Sequence, residues 1–263
     1  MGRSSVYCDL AIEANSLAVE RRGSSIPGVE EDVEHIGDIF VSRIKVTTEE
    51  AAHEIGKEIG QYISVHSHNL RGNNREEQNK LSGIIGEELK LMLGWPDEPN
   101  DDEPTTFVVG LGNWRATPDA LGPRVVGHLL MTRHLYREAP PELRRGVRPV
   151  CGLAPGVLGL TGIETGEIVR GIIDKIRPDQ LVVIDALSAH SMERLGATVQ
   201  VSDTGIAPGS GVGGRSISIN SDTMGIPVLA IGIPTVVHGW ILADETLEGF
   251  RRESRRLKGI DRK

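Results

Sequence analysis

In the second part of the chain, short runs rich in β-branched residues alternate with stretches of helical periodicity, and this alternation restricts the fold more than any other feature. The runs lie at residues 106–111, 147–153, 181–184, 198–201 and 228–233. Helical patterns separate several of them, at 124–135, 164–176, 191–195 and 235–250. Continuous apolar runs are typical of strands that are buried on both faces. The alternation therefore predicts an α/β fold, with a largely parallel, twisted sheet and helices on both of its faces.

The first part of the chain carries a weaker signal. Residues 1–38 look irregular apart from a short helical stretch at 9–20, and an alternating pattern predicts a strand at 39–46. Thr47 and Glu50 have the spacing of a capping box. Apolar residues at every fourth position, from Ala51 to Ile63, then predict an amphipathic helix. A second helix is predicted over 76–93.

Length and composition indicate one globular domain. The 263 residues are 38% hydrophobic and 25% charged, which suits a single α/β domain at 39–250, preceded by the irregular segment 1–38 and followed by a charged tail at 251–263. The net charge of −8 argues against a protein that binds nucleic acid through its phosphates. Two cysteines far apart in the sequence fit a reducing compartment. Because no run of about 18 apolar residues occurs, we expect a cytoplasmic protein without a membrane span.

Three aspartates follow predicted strands. Asp119 lies in the segment after 106–111, Asp185 directly follows 181–184, and Asp203 follows 198–201. Ligands of open α/β sheets bind at the carboxyl ends of the strands, so these carboxylates are candidates for a shared site. Each also has a structural alternative, as a helix N-cap for Asp185 and as a cap or turn residue for Asp119 and Asp203.

Two carboxylates suit general acid–base activation of water. One ionised carboxylate can take the proton of the water while a protonated partner polarises the carbonyl. Asp119 and Asp185, on separate strand ends, are the preferred pair. The flexible loop Gly209–Gly214, with Gly209, Ser210 and Gly211, is expected to border a substrate cleft.

Other chemistries fit the sequence less well. The third glycine of a dinucleotide-binding motif is replaced by Arg115, and no GxSxG elbow surrounds Ser210. His66 and His68 are expected at a helix end on the surface. His238 follows a strand and could line the cleft, so a divalent metal held by carboxylates and His238 stays open although no HExxH motif occurs.

Several long motifs identify a resemblance. They are CDLAIEA (8–14), VVGLGNWRATPDALGP (108–123), TRHLY (132–136), RPVCGLAPGVLGLTGIETGEI (148–168), IDALSAHSMERL (184–195), QVSDTGIAPGSGVG (200–213) and GIPVLAIGIPTVV (225–237). In collinear order over residues 8–246, the chain resembles the germination proteases of spore-forming bacteria.

The resemblance implies an endopeptidase that degrades small acid-soluble spore proteins during germination. It implies an atypical aspartic mechanism in which Asp119 and Asp185 act. We also expect Asn113, Asp203 and His238 to line the substrate cleft, and we expect no cofactor, with a divalent metal as the alternative. It also implies an inactive precursor that trims its own N-terminus, a homotetrameric assembly and a location in the spore core. The implied fold is similar to that of the hydrogenase-maturation proteases (a phosphorylase/hydrolase-like fold). The carboxylates of those proteases recognise nickel.

The chain departs from the family pattern at three places. His238 and His190 stand where the family usually has Asp and Arg, the family usually continues well beyond the last helix, and only seven residues precede CDLAIEA. Either a full self-cleaved propeptide is absent or the sequence begins close to the mature end, so residues 1–38 are expected to contain at most a short propeptide. Two rival hypotheses follow, a metal-dependent peptidase that uses the same cleft and a shortened, non-catalytic relative that binds spore proteins or a partner.

Overall fold

The structure is a computed structural model that describes residues 8–72, 74–96, 103–144, 146–207 and 217–260. Eight strands form one sheet: β1 Val29–Ile36, β2 Ile39–Val46, β3 Gly60–His66, β4 Thr106–Gly110, β5 Val150–Leu153, β6 Gln180–Ala189, β7 Thr198–Ser202 and β8 Val228–Val237. The α-helices are α1 Ala11–Arg22, α2 Glu49–Ile55, α3 Arg75–Leu93, α4 Leu121–His128, α5 Arg133–Glu138, α6 Pro141–Arg144, α7 Leu158–Thr161, α8 Thr165–Ile176, α9 Ser221–Met224 and α10 Gly239–Ile260. Two 3-10 helices lie at His68–Arg71 and Thr117–Asp119.

The sheet is mixed, with the strand order β1-β2-β3-β7-β8-β6-β4-β5. Strands β5, β4, β6 and β8 are parallel, as the sequence predicts, whereas β1, β2, β3, β7 and β8 pair antiparallel. The α/β class is therefore confirmed, and the expectation of a largely parallel sheet is wrong. The reason is that β7, which lies between β3 and β8, runs in the opposite direction to β8.

Helices cover both faces of the sheet. On one face, α1 and α2 pack over β2 and the end of β6, and α8 packs over β4 and the start of β6. On the other face, α3 and α4 pack against Val182 and Ile184 of β6. Because successive strand residues point to opposite faces, the odd-numbered residues of β6 from Leu181 to Leu187 lie on the α1–α8 face.

The helix predicted between residues 47 and 63 is wrong over its second half. The predicted capping box at Thr47 and Glu50 is wrong by one residue, because the N-cap of α2 is Thr48, whose side chain accepts a hydrogen bond from the Ala51 N–H. It ends at Ile55 because Gly56 adopts a left-handed conformation, with φ 68°. Residues 60–66 then form β3, so His66 ends a buried strand and does not lie at a helix end.

Both ends of the described chain contain more regular structure than the sequence predicts. The 1–38 segment contains α1, which matches the predicted short helix, and β1, which was not predicted. Helix α10 continues through residues 251–260, where the sequence predicts only a charged tail. Among the described residues, no helix combines the length and apolar character needed to cross a lipid bilayer.

Candidate active site

The two candidate aspartates come together where β4 ends beside β6. Gly110, the last residue of β4, pairs with Ile184 of β6, and the Leu111 N–H donates to the Ile184 carbonyl at 2.8 Å. Beyond this point β4 leaves the sheet while β6 continues for five more residues. Asp185 therefore lies at the first position of β6 where the neighbouring strand no longer covers it.

Asp119 is held over the same point by a tight turn. The chain leaves β4 through Gly112 and returns through the 3-10 helix that ends at Asp119, and the Asn113 N–H donates to Asp119 Oδ2 at 2.8 Å. The Thr235 hydroxyl of β8 donates to the Pro118 carbonyl at 2.5 Å, which ties the turn to the sheet. The predicted position of Asp119, just past a strand, is thus the one observed.

Gly112 makes this turn possible, and its substitution is expected to displace Asp119. Its φ of 109° is strained for any residue with a side chain, and an added Cβ would clash with the Asp119 carbonyl and lie 2.8 Å from Asp119 Oδ1. We expect Gly112→Ala to lower kcat/KM by about 100-fold, because a catalytic group displaced by about 1 Å loses that much, and to destabilise the fold by about 1–3 kcal/mol. Enzyme kinetics and urea unfolding measure the two effects.

The matched control for this variant is Gly127→Ala. Gly127 lies in α4, and an added Cβ would meet no atom within 4 Å. This control should keep full activity and gain about 0.4–1 kcal/mol of stability. Equal activities for the two variants would contradict the role assigned to Gly112.

Asp185 lies inside β6 and does not follow the end of the strand, because β6 extends to Ala189. No helix begins at residue 191, where the sequence predicts one, and residues 191–197 form turns. The helix-cap alternative for Asp185 is therefore wrong. Its Oδ1 instead accepts a hydrogen bond from the next N–H, that of Ala186, at 2.8 Å.

The surroundings of Asp185 favour its neutral form. Burial is the main cause that raises its pKa from 3.8 to about 7, and the nearby carboxylates of Asp119 and Asp9 raise it further, while the Ala186 N–H opposes the shift. Near neutral pH, Asp185 therefore changes between the protonated and ionised forms. A carboxyl group in this state can donate a proton or a hydrogen bond to a reacting oxygen.

Asp9 is a third carboxylate of this site, which the sequence reasoning missed although it lies in the CDLAIEA motif. Its Oδ2 accepts from the Ser188 N–H at 2.7 Å, and its N–H donates to the Ser188 carbonyl at 3.3 Å. Lys57 Nζ, whose pKa is lowered by burial, donates to the carbonyls of Cys8 and Asp9 at 2.7 and 2.9 Å. The N-terminal segment is thus fastened beside β6, two to three residues beyond Asp185.

A cavity of about 640 Å³ opens on the sheet face to which Asp185 belongs. Leu187 of β6 and Gly232 of β8 line it, and Gly232 is the register partner of Asp185. Asp9, Lys57 and Gln200 line it as well. Asp119 and Asp185 are not among its lining residues, so the cavity adjoins Asp185 only through Leu187 and Gly232.

The remaining predicted cleft residues are more widely distributed. Asn113 is half-buried in the Asp119 turn, and its Oδ1 accepts from the Arg115 N–H at 3.0 Å. His238 follows β8 and is half-buried at the start of α10. Gly209, Ser210 and Gly211 lie outside the described residues, although Ala207 and Ser218 on either side of that loop line the cavity.

Asp203 does not share a strand end with Asp185. Strand β7 runs antiparallel to β8, and its last residue, Ser202, pairs with Ala230 near the start of β8. Asp203 is the next residue, so it lies toward the start of β8. Asp203 Oδ1 accepts from the Gln61 N–H at 2.7 Å, so it joins the ends of β3 and β7. The expectation that all three aspartates follow parallel strands is therefore wrong for this one.

His190 and His66 have defined surroundings. The His190 N–H donates to Glu13 Oε2 at 2.7 Å, and its ring packs edge-on against Trp240 at 5.2 Å between centroids. His66 is buried, and its Nδ1 lies 2.9 Å from Thr198 Oγ1. The buried position of His66 differs from the surface position that the sequence predicts.

Comparison with known proteins assigns the family. The family model described as germination protease matches residues 8–258. The germination protease of Clostridium tetani is 43% identical over 244 residues, which cover 93% of this chain and 74% of the relative. The germination protease of Geobacillus sp. is 46% identical over 265 residues, covering 97% of this chain and 70% of the relative. The chain therefore belongs to the germination protease family, and its enzymatic class is that of a peptidase.

Proposed function

We propose that the protein is an endopeptidase of spore germination in which Asp119 and Asp185 activate water to hydrolyse peptide bonds. One observation carries the proposal. A carboxyl group with a pKa of about 7, that of Asp185, lies where β4 ends, under the electrostatic influence of a second carboxylate, that of Asp119. Such a pair can carry out general acid–base catalysis at neutral pH.

Asp119 and Asp185 have different roles in the proposed hydrolysis. The Asp119 carboxylate accepts a proton from a water molecule, whose oxygen attacks the carbonyl carbon of the peptide bond. Protonated Asp185 donates a hydrogen bond to the carbonyl oxygen and stabilises the negative charge that develops there. The C–N bond then breaks as the leaving nitrogen takes up the proton that Asp119 accepted from the water, which restores the Asp119 carboxylate. Asp185 is assigned the protonated role because its burial favours the neutral form.

The cavity beside Leu187 and Gly232 is proposed to bind the substrate chain. Its position on the Asp185 face of the sheet supports this assignment. Asn113 would act by holding Asp119 through its N–H. Asp203 and His238 would border the cleft further from the reacting bond.

The family resemblance extends the proposal to substrate and assembly. The substrates would be small acid-soluble spore proteins, the assembly a homotetramer and the location the cytoplasm that becomes the spore core. The fold would be related to that of the hydrogenase-maturation proteases. The resemblance also implies a precursor that trims its own N-terminus.

Removal of metal tests the mechanism. The full chain, incubated until its N-terminal mass stops changing, is expected to cleave purified small acid-soluble spore proteins at an unchanged rate after dialysis against a chelator. The reason is that two carboxylates suffice to activate the water, whereas a metalloenzyme loses its nucleophile with its metal. The measurement is the rate at which peptide fragments appear, followed by mass spectrometry at 25 °C.

The same assay separates the rival functions. Loss of cleavage on dialysis, with recovery on adding one divalent metal, would establish a metal-dependent peptidase that uses the same cleft. Tight binding of the spore proteins by the trimmed protein, without any fragments, would instead identify a non-catalytic relative.

A further inference from the structure

Two histidines and a glutamate converge at the end of β3, away from the aspartate pair. His66 is the last residue of β3, His68 begins the 3-10 helix that follows, and Glu193 lies in the turns after β6. One donor atom from each of the three side chains lies within 4.8 Å of the other two. His68 Nε2 is already 3.5 Å from Glu193 Oε1. Imidazole nitrogens with one carboxylate form a donor set that suits zinc.

Hydrogen bonds hold the end of β3 and the turn that contains Glu193 together. The Ser67 N–H, between the two histidines, donates to the Ala197 carbonyl at 2.9 Å. The Arg71 guanidinium donates to the carbonyls of Met192, Glu193 and Leu195 at 2.6–2.7 Å. These hydrogen bonds fix the distance between the end of β3 and the Glu193 turn, so the ligands need little rearrangement of the backbone.

His66 has the environment of a metal ligand. It is buried, and its Nδ1 lies within hydrogen-bond distance of Thr198 Oγ1. Metal-binding histidines commonly use one ring nitrogen in such a bond, which sets the tautomer and the ring orientation. This bond occupies Nδ1 and leaves Nε2 as the ring nitrogen that can bind a metal.

His68 and Glu193 provide the mobility needed to close the site. Their side chains are 65% and 66% exposed, so both can rotate. Donor atoms of a tetrahedral zinc site, with bonds of about 2.0–2.1 Å, lie roughly 3.3 Å apart. The present separations of up to 4.8 Å therefore have to shrink by roughly 1.5 Å at most. Solvent can supply the fourth ligand on this exposed side.

We propose that His66, His68 and Glu193 bind one zinc ion, which clamps the end of β3 to the turn after β6. The site is separate from the aspartate pair, because the strand from Asp185 to Ala189 alone spans about 13 Å. Its role is structural, since it joins the end of β3 to the turn after β6 and none of its three residues lines the cavity beside Asp185. The sequence shows only the HSH pattern of this site, because Glu193 lies more than 120 residues further along the chain.

Zinc titration of the untagged, metal-stripped full chain tests the site. Isothermal titration calorimetry with zinc chloride should give one ion per chain, and zinc should raise the midpoint of thermal unfolding. His68→Ala and Glu193→Gln change exposed side chains, so both variants should fold normally. Each is expected to weaken zinc binding by at least about tenfold and to remove the thermal shift.

His134→Ala is the matched control, because His134 is an exposed histidine on α5, beside the opposite edge of the sheet. It should bind zinc as the unchanged chain does. Three results would overturn the proposal: no zinc binding by the unchanged chain, equal binding by His68→Ala and Glu193→Gln, or a loss of binding in an Asp119→Asn, Asp185→Asn double variant that keeps His66, His68 and Glu193.

Discussion

Replacing Asp185 with asparagine is expected to lower kcat on small acid-soluble spore proteins by about 10²–10⁴-fold, the usual contribution of a general acid or base. Asparagine keeps an Oδ1 that can accept the Ala186 N–H, so the backbone of β6 should not move. Asp119→Asn is expected to have an effect of the same order, since Oδ1 of asparagine can accept from the Asn113 N–H in place of the carboxylate. Steady-state kinetics on the two variants, after N-terminal trimming, measures both values of kcat.

Asp179→Asn is the control for these variants. Asp179 is exposed at the start of β6, at the other end of the strand from Asp185, and its side chain accepts from the Thr105 N–H at 2.7 Å. The substitution makes the same chemical change without touching the pair and should leave kcat unchanged. Full activity in either Asp119→Asn or Asp185→Asn, with circular dichroism spectra that match the unchanged chain, would disprove the two-carboxylate mechanism.

The same Asp185→Asn substitution is expected to stabilise the fold above neutral pH. The pKa of Asp185 is 3.8 when exposed and about 7 in the folded protein. Between these values the unfolded chain releases the proton while the folded chain keeps it, so the stability of the unchanged protein falls as pH rises from about 4 to about 7. At 1.36 kcal/mol per pKa unit, the loss amounts to about 4 kcal/mol. Asparagine does not ionise, so the unfolding free energy of the variant does not decrease in this way.

Urea unfolding at a series of pH values checks this expectation. The difference in unfolding free energy between Asp185→Asn and the unchanged chain should be small at pH 4, should grow up to about pH 7 and should then stay constant. Asp179→Asn controls for the loss of one negative charge. A difference that is independent of pH would show that Asp185 is not held in its neutral form.

The parallel half of the fold could be predicted from the sequence because its strands are buried on both faces. The runs that became β4, β6 and β8 are continuous and apolar, and Asp119 and Asp185 stand out against them. The length of β6 could not be predicted, because its second half, from Asp185 to Ala189, mixes polar and apolar residues and is stabilised by distant partners. Ser188, for example, bonds to Asp9, which lies 179 residues earlier in the chain.

The antiparallel half was harder to predict for three physical reasons. Strand β1 is an edge strand with mostly exposed, charged residues, so it carries almost no hydrophobic signal. The apolar residues Ile55, Ile59 and Ile63 match a helical period, but Gly56 ends the helix and only Ile63 belongs to β3. The direction of β7 depends on its partners β3 and β8, which local sequence does not specify. The same helical period places His66 at a helix end, so the sequence does not predict that His66 and Glu193 lie close together.

The pairing of β3 with β7 also determines the order in which the sheet can be completed during synthesis. His66 and Thr198, which face each other in this pair, are 132 residues apart in the chain. The β1–β2–β3 meander emerges from the ribosome first, with the outer edge of β3 lacking its partner until β7 has been made. Contacts between such distant segments slow folding, and an open strand edge favours association with other chains. The nascent chain therefore depends on its last third to close the sheet.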